Sequence, residues 1–185
     1  MSLEVLLGPM FAGKSSRILS ILSRYAALDT PVLVIKHADD VRYNANAIVT
    51  HNGQRSPCIA VRDLDDISLE DILRFKVIIV DEAQFFRNLV PFVEWVVDTH
   101  NRHLTLVGLD GDSNRRPFDS DLLNCIPLAD RVEKLTAFCH RCADGTPGLF
   151  TYRHSGPHDQ QVMVGGSDLY TTLCRKCYVS SIQTE

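Results

Sequence analysis

Residues 8–15 read GPMFAGKS, a Gly-x4-Gly-Lys-Ser run directly after the apolar stretch Leu3–Leu7. This spacing suits the binding of phosphate. Gly8 and Gly13 permit backbone geometry and close approaches that a Cβ would obstruct, so the loop's N–H groups can turn inward on phosphate oxygens. Lys14 is then placed to reach the β- and γ-phosphates, and Ser15 offers a hydroxyl to Mg²⁺. The segment from Gly8 through Pro9, Met10, Phe11, Ala12 and Gly13 to Lys14, Ser15 and Ser16 is therefore expected to hold the phosphates of a nucleotide. A phosphate loop also needs an acid at the end of a neighbouring strand. VIIVDEAQFF supplies Asp81 and Glu82 after four β-favouring apolar residues. An Asp here supports the Mg²⁺ shell, usually through water. Glu82, one residue on, can accept a proton from an attacking hydroxyl or orient a water, and chemistry alone does not choose between kinase and hydrolase.

A second constellation is metallic. Cys139-His-Arg-Cys142 and Cys174-Arg-Lys-Cys177 are two Cys-x2-Cys pairs with residues 143–173 between them. Two such pairs complete a closed tetrahedral set of four thiolates for Zn²⁺, a structural staple for a lobe too small to carry its own core. Arg141, Arg175 and Lys176 would favour the thiolates electrostatically, and His140 is not needed as a ligand. Cys58 and Cys125 fall outside the pattern and read as buried thiols.

The elements that must position these groups follow from periodicity. Leu3–Leu7, Val32–Lys36, Val77–Asp81 and Leu104–Leu109 are near-continuous apolar runs, each ending in a polar or Gly-rich turn. Ser15–Leu28, Ser68–Phe75 and Leu89–Asn101 carry helical spacing between them. Apolar strands alternating with helices predict a parallel sheet covered on both faces. Pro57–Val61 reads as an edge strand, and the polar segment Asp39–Gly53 as a loop or short irregular strands. After about Val132 the runs shorten, turns multiply and helical periodicity fades. The expected division is a phosphate-loop α/β domain over 1–132 and a β-rich, zinc-stapled lobe over 133–185.

The 185 residues suffice for one domain with a small appendage, and 45% hydrophobic with 23% charged residues is ordinary for a globular chain. No stretch reaches the roughly 18 apolar residues of a membrane span, and MSLEVLLGPMF lacks the basic start of a signal peptide. Paired cysteines of metal-binding spacing point to a reducing compartment, so the expectation is a cytoplasmic protein. A net charge of −4 argues against broad nucleic-acid binding.

With these motifs in hand, the chain resembles a type II thymidine kinase from Leu3 to Tyr178. The resemblance is carried by GPMFAGKS, VIKHADDVRY, VDEAQFF, GLDGDSNRRPF, PLADRVEKLTAFCHRC, GLFTYRH, VGGSDLY and LCRKCY, in that order. It implies a RecA-like parallel-sheet domain with a small zinc lobe, assembled as a homotetramer. It further implies transfer of the γ-phosphoryl of ATP to the 5′-hydroxyl of thymidine with Mg²⁺, and inhibition by thymidine triphosphate. In that family Glu82 matches the general base, Lys14 stabilises the transferring group, and Ser15 and Asp81 support Mg²⁺. Asp40 and Arg42 resemble an acid–arginine pair beside the transferring group, and Gln84 falls on the nucleotide side. Met10, Phe85, Leu109, Ser113, Phe118, Thr151 and Tyr170 match positions lining the nucleoside pocket. Gln161, Val162, Met163, Val164 and Gly165 open the segment that resembles a lasso closing over the base.

This chain departs from the family at Ser113, where an aromatic residue is usual. Losing a base–aromatic contact costs about 1–3 kcal/mol, so a roomier pocket with weaker or broader nucleoside binding is expected. The spacing from Cys142 to Thr151 is also longer than the family's. Two other function classes fit parts of the pattern: a RecA-like ATPase stimulated by nucleic acid, and a non-enzymatic zinc-stapled binding module. The acidic pI of about 5.9 stands against the first. The intact Lys14, Ser15, Asp81 and Glu82 stand against the second.

Overall fold

The computed structural model describes residues 1–38, 47–49, 55–155 and 165–183, those at 47–49 and 55–57 through their backbone. The expected site residues Asp40, Arg42, Gln161, Val162, Met163 and Val164 lie outside the described residues.

Strand β1 (Ser2–Leu7) runs into helix α1 (Lys14–Ala26), followed by β2 (Val32–His37), β3 (Ala47–Val49) and β4 (Arg55–Val61). Helix α2 (Leu69–Arg74), β5 (Val77–Val80), α3 (Leu89–Val93, continued as π-helix over Glu94–Thr99), β6 (His103–Gly108) and β7 (Arg131–Lys134) complete the larger layer. These seven strands form one sheet in the order β3-β4-β2-β5-β6-β1-β7. Every neighbouring pair is parallel except β3 against β4. The α/β parallel sheet expected from the sequence is present. β4 is not the edge, because β3 pairs outside it.

Period-two alternation builds the two covered faces. Leu3, Val5, Leu33, Ile35, Ile78, Val80, Leu104 and Leu106 point to one side and pack with Ile72, Phe86, Phe92 and Val96. Leu6, Val32, Val34, Val77, Ile79 and Val107 point to the other, where α1 lays down Ile18, Ile21 and Leu22. The inner strands β1, β2, β5 and β6 are buried on both faces, which is why their sequence runs are nearly unbroken in hydrophobicity.

Beyond β7 come two two-stranded antiparallel sheets, β8 (Ala137–Phe138) with β9 (Pro147–Gly148) and β10 (Phe150–Arg153) with β11 (Tyr170–Leu173), then helix α4 (Arg175–Ile182). Their core is small: Cys139, Leu173, Cys177 and Tyr178, with Phe150, Tyr152, Cys142 and Cys174 against it. Helix α4 was not legible as a periodic stretch. It starts on a thiol instead, the Cys174 Sγ accepting from the Cys177 N–H at 3.5 Å as an N-cap hydroxyl would. No helix among the described residues is long and apolar enough to cross a membrane.

Candidate functional site

Because β1, β5 and β6 are parallel neighbours or next-neighbours, the loops leaving their carboxyl ends gather at one end of the sheet, the usual place for a ligand in an open α/β fold. The first of these loops is GPMFAGKS. Gly13 adopts φ +80°, the left-handed conformation that glycine tolerates, and its carbonyl accepts the Arg17 N–H at 2.9 Å to start α1. Gly8 is needed for closeness, since a Cβ there would stand 2.8 Å from the Leu135 carbonyl oxygen. The Lys14 Nζ donates to the Gly8 and Pro9 carbonyls at 3.1 and 2.8 Å, arching its ammonium back across the loop. Ser15 and Ser16 are exposed in the first turn of α1, where helix N–H groups have no intrahelical acceptor and the dipole favours anions.

The second loop leaves β5. The Asp81 N–H bonds the Ile35 carbonyl at 2.9 Å, extending the sheet by one step, and the Asp81 Oδ1 accepts the Glu82 N–H at 2.9 Å. Glu82 sits at φ +53°, ψ +40°. A left-handed carboxylic residue costs about 1–2 kcal/mol, a strain typical of functional positions. Both carboxylates are buried, Asp81 at 5% and Glu82 at 9% exposure. Gln84 explains how Glu82 is aimed: its Nε2 donates to Glu82 Oε2 at 2.6 Å while its Oε1 accepts the Leu109 N–H at 2.9 Å. One amide thus ties the acid after β5 to the loop after β6.

The third loop, after β6, is shaped by Asp112, whose Oδ1 accepts the N–H groups of Asn114 and Arg116, both at 2.8 Å. Buried Ser113 gives its carbonyl to the Tyr178 hydroxyl at 2.6 Å. The Arg115 guanidinium lies 4.5 Å from the centroid of the Tyr178 ring. Phe85 and Phe118 meet edge to face at 6.1 Å between centroids, and His37 lies 5.7 Å from Phe85. Thr151 reaches the phosphate loop itself: its Oγ1 accepts the Met10 N–H at 3.0 Å. Met10 therefore directs its amide at β10 and not at the loop's interior. Tyr170 is buried, paired across the hairpin with Arg153, whose guanidinium lies 5.6 Å from its ring centroid. Gly165 is half-buried, folded against the Leu169 side chain.

The structure thus joins Glu82, Gln84 and Leu109 in one network, pairs Phe85 with Phe118, and joins Thr151 to Met10. Sequence reasoning missed Thr172, Tyr178, Arg115 and Asp112. The only signal for Thr172 was its place two residues before Cys174, which says nothing of register.

The four cysteines of the two pairs converge, with all Sγ atoms within 4.8 Å of one another. The Cys142 Sγ lies 3.9 Å from that of Cys174 and 3.6 Å from that of Cys177. Tetrahedral thiolates bound at about 2.3 Å would stand ~3.8 Å apart, so the donor set fits Zn²⁺. Crowding divides the thiols: the hydrogen bond with Cys142 is foremost in pushing the Cys177 thiol up to about 12, whereas at Cys139 burial is outweighed by backbone hydrogen bonds from Cys174 and Cys142, which bring that thiol down to about 6. A divalent cation removes that conflict. Cys58 and Cys125 are outside any disulfide and buried in the larger layer, as expected. Burial pushes the Cys125 thiol up to about 12, which makes it inert.

Comparison with known proteins agrees with this geometry. A family model described as thymidine kinase matches residues 1–178. Thymidine kinase a of Arabidopsis thaliana is 37% identical over 184 residues, covering 97% of this chain and 76% of the plant protein. The thymidine kinase of monkeypox virus is 36% identical over 179 residues, covering 97% of each. That of Yaba monkey tumor virus is 38% identical over 176 residues, covering 95% of this chain and 93% of its own.

Proposed function

The chain belongs to the thymidine kinase family, and we propose that it transfers the γ-phosphoryl group of ATP to the 5′-hydroxyl of thymidine, giving thymidine monophosphate. The observation that carries this reading is the buried Glu82, aimed by Gln84 at the same sheet end that presents Lys14. A hydrolase and a kinase share the loop, and the family match favours the kinase over the RecA-like ATPase.

In this reading the phosphate-loop backbone from Gly8 to Ser16 and the α1 N-terminus cradle the phosphates, and Lys14 turns from its loop carbonyls to the transferring group. Ser15 and Asp81 would hold Mg²⁺, which neutralises phosphate charge when bound. Glu82 accepts the proton of the 5′-hydroxyl as that oxygen attacks the γ-phosphorus and the bond to ADP breaks. Met10, Phe85, Leu109, Ser113, Phe118, Thr151 and Tyr170 form the nucleoside side of the site. The proposal extends to Asp40 and Arg42 beside the phosphates and to residues 161–165 over the base. It includes deoxyuridine as a second acceptor, Zn²⁺ held by the four cysteines as a structural metal, and feedback by thymidine triphosphate. A homotetramer in the cytoplasm completes it. Purified protein with ATP, Mg²⁺ and labelled thymidine should yield labelled monophosphate, and no product would refute the kinase.

Ser113 tests the acceptor side. It is small and buried, on a loop held by Asp112 and Tyr178. Ser113→Phe is expected to lower the thymidine KM by about ten- to hundredfold, the equivalent of one base–aromatic contact. An unchanged KM in a folded variant would remove Ser113 from the pocket.

A further inference from the structure

Met10, in the middle of the phosphate loop, is gripped from outside the loop by both of its backbone groups. Its N–H donates to Thr151 Oγ1 at 3.0 Å, and its carbonyl accepts from Thr172 Oγ1 at 2.9 Å. Thr151 and Thr172 are direct partners across β10 and β11. Directly paired residues project from the same face of a hairpin, so the two hydroxyls leave it side by side. One accepts and the other donates, the complement of the N–H and carbonyl that Met10 presents to them. Both threonines are buried, at 5% and 2% exposure, so water does not compete for these bonds.

We propose that Thr151 and Thr172 form a clamp that positions the phosphate loop for the donor nucleotide, with Thr172 acting purely as a positioning residue. The proposal rests on reading GPMFAGKS as the ATP site, and it makes the cysteine lobe a part of that site although none of the lobe's residues belong to the loop. The mechanical path is short. The Thr172 carbonyl accepts the His140 N–H at 2.9 Å, inside the first cysteine pair, and Thr172 stands two positions before Cys174. Thr172 thus links the cysteine cluster to the loop through one backbone and one hydroxyl contact. Because the clamp holds backbone atoms, it fixes where the loop's peptide groups point without depending on the Met10 side chain.

Thr172→Val keeps the volume and deletes the donor, leaving the Met10 carbonyl unsatisfied. Thr172→Ser keeps the donor and trims a methyl. Binding of a non-hydrolysable ATP analogue with Mg²⁺, measured by calorimetry without thymidine, should weaken about tenfold in Thr172→Val and stay within about twofold in Thr172→Ser. Steady-state assays should show the ATP KM rising and kcat falling in Thr172→Val. Equal analogue affinity in Thr172→Val and wild type would overturn the clamp, as would an equal loss in both variants, which would trace the effect to packing. In the wild-type chain the Met10 amide should be protected from hydrogen exchange, and exchange at the rate of an exposed loop amide overturns the clamp without any variant. Failure of the wild type to bind the analogue would instead overturn both the clamp and the ATP reading on which it stands.

Discussion

Glu82→Gln should lower kcat for thymidine phosphorylation by about 10²–10⁴-fold, the range of a general base, while leaving the affinity for an ATP analogue near that of the wild type. The substitution keeps the side chain's shape and removes only its ability to take a proton. Its neighbours tolerate it: the Asp81 Oδ1 accepts the Glu82 backbone N–H, not its side chain, and Gln84 can donate to the remaining carbonyl oxygen. The left-handed backbone at this position costs Gln no more than Glu. Any loss therefore reports chemistry and not collapse, which circular dichroism of the variant would verify. Near-normal kcat would remove Glu82 from the base role. Weakened analogue binding equal to the loss in kcat would assign it to nucleotide positioning instead.

Cys142→Ser, or exhaustive chelation, should abolish phosphorylation by more than about a hundredfold and melt the region beyond β7 at a lower temperature than the main sheet. Freshly purified wild type should carry one zinc per chain by elemental analysis. The lobe is too small to hold itself together without the metal. Among the described residues the lobe's core cluster is Cys139, Leu173, Cys177 and Tyr178, and its strands pair two by two. Two-stranded sheets are marginal alone, and structural zinc supplies about 10 kcal/mol or more in comparable small modules. Cys142 is the best residue to remove, because its sulfur lies within 4 Å of two others. The effect should reach the acceptor side directly, since Thr151 and Tyr170 belong to these strands and Tyr178 holds the Ser113 carbonyl. A metal-free protein with wild-type activity would refute the structural role of the cluster.

The parts of the fold legible in the sequence were those whose information is local. β1, the phosphate loop and α1 could be read together because apolar run, glycine spacing and helical period are consecutive. The two Cys-x2-Cys pairs announced their meeting through chemistry, and the structure brings them within 4.8 Å. What escaped was set by tertiary context. β7 reads RVEK, mostly exposed at the sheet margin, so no apolar alternation marks it, and the expected boundary at 132/133 falls inside it. Helix α4 is short and starts on a cysteine, so its cap looks like a ligand and its period is hidden. The facing of Thr151 by Thr172 depends on hairpin register, and residues 154–169 between the strands make a connection far longer than the tight turn that would set it. The family resemblance puts Gln84 on the nucleotide side. Its position between Glu82 and the Leu109 N–H emerges only once β5 and β6 lie side by side.

The six cysteines divide by location into two populations that report different events. Four sit together beyond β7, and two, Cys58 and Cys125, are sealed within the larger layer, one of them with a thiol raised to about 12. An alkylating reagent at neutral pH can reach the sealed pair only when the sheet itself opens, whereas the clustered four become reactive once the lobe loosens. The chain therefore carries two built-in chemical clocks, and the lag between them measures how far the lobe can come apart while the nucleotide-binding layer remains folded.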